Sequence, residues 1–463
     1  MASGKTEFQA PPTRFLPMLM AIGPAIVVSG SVIGSGELIN VPVQAARFGF
    51  VLFWAVILSC IIKFFLQIEL GRHCIVHNRT TIQAFNQCPG PKIRGTAWIG
   101  YIYMIGYTVS VVTVGGIMAA TAGLLQSVFP LTPDPVLTKN IWAAIIFVVI
   151  AAVLWRGLYG ELEKLVAILV AGFSMSVVLA LLLLVLFPNP EYPLHLSDIL
   201  SGLKFSLGDV DRELAAFAVI SLLGALGTTA NELFMYPYWI LEKGYAERLG
   251  DKDSDGWVER ARGWVRVLRM DTAAATLLAT VITAAYFLVG SAILHRRIAD
   301  SQAEVPSGIE LVNQLSTIYT EIYGSWSYGI FMFGGFCTLF STIVVVVAAT
   351  GRMWTDLLSS AGMFDWNDAA KRRKCNRVFQ MLYLGAFLAI TLFVQQAPEK
   401  LVIMGQYING LFNTPIIMFA ICWMAFHTDR RLRMGRCSAV MLFVTVAIIL
   451  ACLAAGLYRQ AVS

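Results

Sequence analysis

Apolar stretches of about 20 residues recur along the chain, each long enough to cross a hydrocarbon core roughly 30 Å thick as a helix. Hydropathy places them near 17–46, 50–70, 96–126, 141–155, 161–187, 214–241, 270–293, 325–350, 378–395, 400–426 and 438–457. The pattern predicts an all-α membrane protein of eleven transmembrane helices. Most spans run uninterrupted, with small residues that permit close helix packing, as at Gly115, Gly116, Gly334 and Gly335. Two are interrupted. The first, GPAIVVSGSVIGSGELINVPVQ, carries Gly30, Gly34 and Gly36 and the carboxylate Glu37. The sixth, AAFAVISLLGALGTTANELFMYPYW, carries Gly224, Gly227, Thr228, Thr229, Asn231, Glu232 and Pro237. Both are expected to be broken helices.

The positions of the two breaks suggest a repeat. After a tail at 1–16, the first and sixth spans open two sets of five, residues 17–187 and 214–426. A connection at 188–213 joins the sets, and 427–463 supplies a loop and the eleventh helix. Five is odd, so the sets enter the membrane in opposite directions, an inverted 5+5 repeat. Matching interruptions in inverted halves point to a transport site at the bilayer midplane. A break facing lipid would leave main-chain groups unsatisfied, so the two should share a cavity.

Composition excludes other classes. Apolar residues make up 57% of the 463 and charged residues only 13%, and no polar stretch is long enough for an independent domain. Most of the 34 Lys and Arg fall on one side of the membrane if the N-terminus is cytoplasmic and the C-terminus extracellular. The net charge of +6 is then a matter of topology, and a nucleic-acid partner has no support. All eight cysteines lie in spans or on the expected cytoplasmic side, which argues against disulfides. Asp251, Asp253, Asp255 and Gly256 imitate the start of an EF-hand loop, but position twelve is Arg262, so this segment reads as a solvated turn.

The chemistry concentrates at the breaks. An ionised side chain deep in a bilayer needs a partner, and for Glu37 a bound cation is the natural one. Around it the breaks offer the main chain near Gly34, the Ala225 carbonyl, the Thr228 hydroxyl and the Asn231 amide. No Cys, His or Met lies in 29–37 or 224–231. An oxygen set with one carboxylate suits a hard divalent ion that keeps part of its water shell. Glu232 is a further carboxylate that could face either a vestibule or a loop arginine.

These residues resemble the Nramp divalent-metal transporters. The first span is similar to their first helix, where Gly-Pro is followed by Asp-Pro-Gly-Asn, and the sixth to the helix bearing Met-Pro-His. Lesser echoes are IELGRHCIVHNRTT, YGELEKL, Ser341-Thr342 and Asn413-Thr414-Pro415. The resemblance implies the LeuT-like fold of the amino-acid/polyamine/organocation superfamily and transport by alternating access. It also implies ligand positions at Gly34, Glu37, Ala225, Thr228 and Asn231. The departures are specific: Gly34 stands where the family has its metal-binding Asp, Glu37 where it has Asn, Thr228 where it has Met, and Ala230 where it has the motif His. The tenth-helix glutamine has no clear counterpart, and Asn409 and Asn413 are the candidates to serve in its place. This pattern resembles the Nramp-related magnesium transporters.

Loss of the thioether lowers discrimination against hard ions, and smaller residues leave room for retained water. None of the five histidines falls inside an expected span. The expectation is a multi-pass carrier of the cell membrane that moves Mg²⁺ and also Mn²⁺ as substrates, without proton coupling and without a resident cofactor. The alternatives are a proton-coupled Mn²⁺ or Fe²⁺ carrier and, with less support, an organic-solute carrier of the same fold. An intramembrane enzyme is excluded on motifs, since neither HExxH nor GxSxG occurs.

Overall fold

The computed structural model describes residues 10–14, 17–18, 34–156, 159–187, 190–207, 210–301, 309–394 and 397–462. Gly30 and most of the upstream part of the first expected span lie outside them. Among the described residues the chain is almost wholly helical, with one two-stranded antiparallel ribbon, Lys92–Ile93 with Thr96–Ala97, in the loop before the third span. In a hydrocarbon solvent only a helix satisfies its own main-chain groups within one segment, and the apolar runs fold accordingly.

Nine helical stretches among the described residues are long and apolar enough to cross a membrane. Gly36–His77 runs from the downstream part of the first expected span through the second, turning at Gly49, whose φ of 56° suits glycine. The fifth expected span is the helix Tyr159–Leu186. The described residues therefore do not by themselves return the number eleven.

Burial sorts the helices into an inner and an outer set. The apolar window of Arg212–Glu242 is 78% buried, whereas those of Pro135–Arg156, Ala369–Phe393 and Arg436–Tyr458 are each 28% buried, leaving them to lipid. The sixth span is thus central. It is also broken: a helix ends at Ala225, Leu226 is extended, Gly227 takes φ 61°, and a second helix starts at Ala230. Gly227 is required twice over. A Cβ there would meet a left-handed backbone and lie 2.8 Å from the Cys60 carbonyl oxygen of the second span. The break expected in the first span lies largely outside the described residues; downstream of it a π-helical turn Gly36–Asn40 leads into the helix Val41–Phe48. A second π turn, Asn409–Asn413, interrupts the tenth span between Pro398–Ile408 and Thr414–His427.

Candidate metal site at the helix breaks

The three irregular segments meet. A Cβ on Gly36 would lie 3.1 Å from the Ala225 carbonyl oxygen, so the first span's π turn rests on the end of the broken sixth helix. On its other side a Cβ on Gly224 would lie 1.9 Å from the Gln406 carbonyl oxygen, which only glycine allows. Between these segments and the third and eighth spans is a cavity of about 90 Å³, against the roughly 10–15 Å³ that one water needs. Its polar wall includes Ala225, Thr229, Asn231, Glu232, Gln406 and Asn409.

The end of a helix leaves its last four carbonyls without intrahelical donors. In Arg212–Ala225 the Leu222 carbonyl accepts from the Leu226 N–H at 2.9 Å. The Leu223 carbonyl accepts from Lys63 Nζ, and the Gly224 carbonyl accepts from Asn409 Nδ2 at 2.9 Å. Among the described residues no donor takes the Ala225 carbonyl, which faces the cavity. A single unclaimed oxygen is thereby presented to whatever the cavity holds.

Glu232 begins the helix beyond the break. Its Oε2 accepts from the Thr229 N–H at 2.7 Å and its own N–H donates to Thr229 Oγ1 at 3.3 Å, a reciprocal cap that fixes the carboxylate at the cavity edge. Asn231 is adjacent, with its Oδ1 accepting from Tyr103 Oη at 3.2 Å and from Asn413 Nδ2 at 3.3 Å. Gln406 Oε1 accepts from Asn40 Nδ2 at 2.8 Å, tying the tenth span to the first.

Of the five expected ligand positions, Ala225 and Asn231 line the cavity, while Gly34, Glu37 and Thr228 are not among its lining residues. Glu37 is fully buried, but its oxygens are held by protein: Oε2 accepts from the Gly34 N–H at 3.0 Å and Oε1 from Thr283 Oγ1 at 3.1 Å. The physical reason is local. The Gly34 N–H donates to a carboxylate only three residues on, within the same turn. Thr228 Oγ1 donates to Gln67 Oε1 at 2.7 Å.

Three residues of the site were not expected from the sequence. Gln406 supplies a tenth-span glutamine that was expected to be replaced by Asn409 or Asn413; its spacing of three from Asn409 puts both on one helix face. Met235 brings a thioether to the wall, one helical turn beyond Asn231 and outside the segment in which sulfur was sought. Lys63, a charge inside the second apolar span, reaches the end of the sixth-span helix, which nothing in its sequence neighbours indicates.

This fold and site define a polytopic membrane transporter of the LeuT-like architecture, not an enzyme. The chain belongs to the Nramp family of divalent-metal transporters: the profile of that family, natural resistance-associated macrophage protein-like, matches residues 25–459. Its fold is similar to that of the Eremococcus coleocola manganese transporter in complex with an aromatic bis-isothiourea substituted compound. The TM-score is 0.68 at 15% identity, covering 99% of this chain and 91% of that one. A glutamate-to-alanine mutant of that transporter gives 0.68 at 15% identity, covering 98% and 90%. An uncharacterized protein of Pasteurella multocida is 20% identical over 334 residues, 72% of this chain and 69% of its own length.

Proposed function

We propose that this chain carries Mg²⁺, with Mn²⁺ as a second substrate, into the cell by alternating access and without moving protons. The observation that carries this reading is the cavity wall, where the Ala225 carbonyl and the Glu232 carboxylate offer oxygens beside the amides of Asn231, Gln406 and Asn409, whose own oxygens accept hydrogen bonds from the protein. Such a set favours a hard divalent ion that keeps several waters. Glu232 and Ala225 face the ion in this proposal. Glu37 adds negative charge from behind the first helix start, Gly34 anchors that carboxylate, and Thr228 positions the break through Gln67. Among the described lining residues there is no histidine, the side chain best suited to pass protons near neutral pH, which supports the absence of coupling.

The repeats 17–187 and 214–426, the cytoplasmic N-terminus, the extracellular C-terminus and residence in the cell membrane are part of the same proposal. They follow from charge placement and from the two helix restarts. One observation favours a second reading, a proton-coupled Mn²⁺ carrier: the Met235 thioether is a soft donor, which favours Mn²⁺ over Mg²⁺. The manganese transporter with the similar fold is in line with it. Uptake of Mg²⁺ and Mn²⁺ into proteoliposomes loaded with a pH dye separates the two. Entry of both ions at constant internal pH is the expected result, and acidification that tracks Mn²⁺ entry would replace it with the second reading.

A further inference from the structure

Lys63 is 1% exposed in the middle of the second span, where the helix Phe53–Ile62 gives way to Phe64–His77. A lysine there is costly unless its charge is used. Its Nζ reaches across to the sixth span and donates to two main-chain carbonyls, those of Leu223 and, at 2.8 Å, Leu226. The first belongs to the last helical turn before the break and the second to the extended link after it. The negative end of the helix therefore points at the ammonium. Two carboxylates act on it electrostatically, Glu232, which borders the metal cavity, and Glu37, which is buried outside the cavity lining. Carbonyl oxygens at an unwound helix end, with carboxylates nearby, are the surroundings in which transporters of broken-helix design hold monovalent cations.

We infer that Lys63 is a tethered cation, filling with its own ammonium the place between the Leu223 and Leu226 carbonyls that a monovalent metal ion would otherwise fill. The break is thus held together without an ion from solution. The carrier then needs no co-bound Na⁺ to hold its shape. Lys63→Met removes the ammonium and leaves two carbonyls and two carboxylates without it, which is a vacancy for Na⁺.

The test is thermal unfolding of the full-length purified protein in NaCl against N-methylglucamine chloride at equal ionic strength, with no divalent metal present. The unaltered protein and Lys63→Arg should melt at the same temperature in both salts. Lys63→Met should be less stable in N-methylglucamine and rise by about 3 °C or more, saturably, with Na⁺. A Lys63→Met protein indifferent to Na⁺ overturns the inference. If that variant does not fold in either salt, Lys63→Gln, which keeps one donor for the carbonyls, decides in the same way: stabilisation by Na⁺ supports the inference and indifference overturns it. Because the readout uses Na⁺ alone, it stands whether or not the cavity carries Mg²⁺ or Mn²⁺.

Discussion

Glu37 and Glu232 hold the same place in two helices: each accepts a hydrogen bond from the main-chain N–H three residues before it, Gly34 at 3.0 Å and Thr229 at 2.7 Å. One lies in the π turn Gly36–Asn40 of the first span and the other in the first turn of the helix that leaves the sixth-span break. A carboxylate folded back on a freed N–H is the favourable way to begin a helix. Two such starts in corresponding positions are what an inverted pair of halves would produce. The pair differs in what the second oxygen meets, since Glu37 Oε1 is taken by Thr283 whereas Glu232 borders the cavity.

That difference sets the first expectation. Glu232→Gln keeps an acceptor for the Thr229 N–H, so the helix start survives while the charge at the cavity is lost. Isothermal titration should show Mn²⁺ affinity falling by about tenfold or more, which corresponds to roughly 1.4 kcal/mol. Glu37→Gln should weaken binding by less, because its oxygens already serve Gly34 and Thr283. A larger loss at Glu37 would put the direct ligand there instead.

The packing of the breaks sets a second. Gly224→Ala drives a methyl into the Gln406 carbonyl, and Gly227→Ala adds a left-handed backbone to a 2.8 Å approach to Cys60. Each should cost about 1–3 kcal/mol or more, read as a lower melting temperature in detergent. Gly123→Ala, at a helical position where nothing lies within 4 Å of the added carbon, is the control and should be neutral or slightly stabilising.

Met235 is the one methionine among the described lining residues, and selectivity is expected to depend on it. Met235→Leu removes sulfur while keeping volume, so the ratio of Mn²⁺ to Mg²⁺ affinity should fall by several-fold. Competition of Mg²⁺ with Mn²⁺ in titration or uptake measures it. An unchanged ratio would mean that Met235 packs against the ion's path without touching the ion.

Asp429 is a contributor to stability against pH that lies outside the membrane. Asp429, in the loop before the last helix, accepts from the Arg431 guanidinium at 3.0 and 3.2 Å and from the Arg431 N–H at 3.0 Å. These bonds hold its carboxyl well below the usual aspartate range. A depressed folded-state pKa contributes stability above the unfolded value, near 3.9, that is lost as pH falls towards the folded value. Asp429→Asn should therefore lower the melting temperature at pH 7, and the gap to the unaltered protein should narrow below about pH 4.

Much of this was legible in the sequence. Continuous apolar runs announce membrane helices, because no soluble core needs 20 such residues in a row. Gly224 and Gly227 inside one of them announce a break, and Ala225 and Asn231 lie where that break placed them. Other features depend on three dimensions. Whether Glu37 faces the cavity depends on which way the first turn unwinds, and the freed Gly34 N–H decides it. Gln406 was hidden because a lone amide in an apolar span carries no direction until its helix is packed. Lys63 was visible as an intramembrane charge, but its partners are main-chain oxygens 160 and 163 residues away, which no side-chain pattern encodes.

In the proposed site a divalent ion rests beside the start of the sixth span's second helix. Anomalous X-ray scattering from crystals of the purified protein grown with Mn²⁺ would locate the ion directly. A peak beside the Ala225 carbonyl and the Glu232 carboxylate is expected, and it should vanish in Glu232→Gln. A peak elsewhere in the protein, or one that persists at the same height in that variant, would contradict the account.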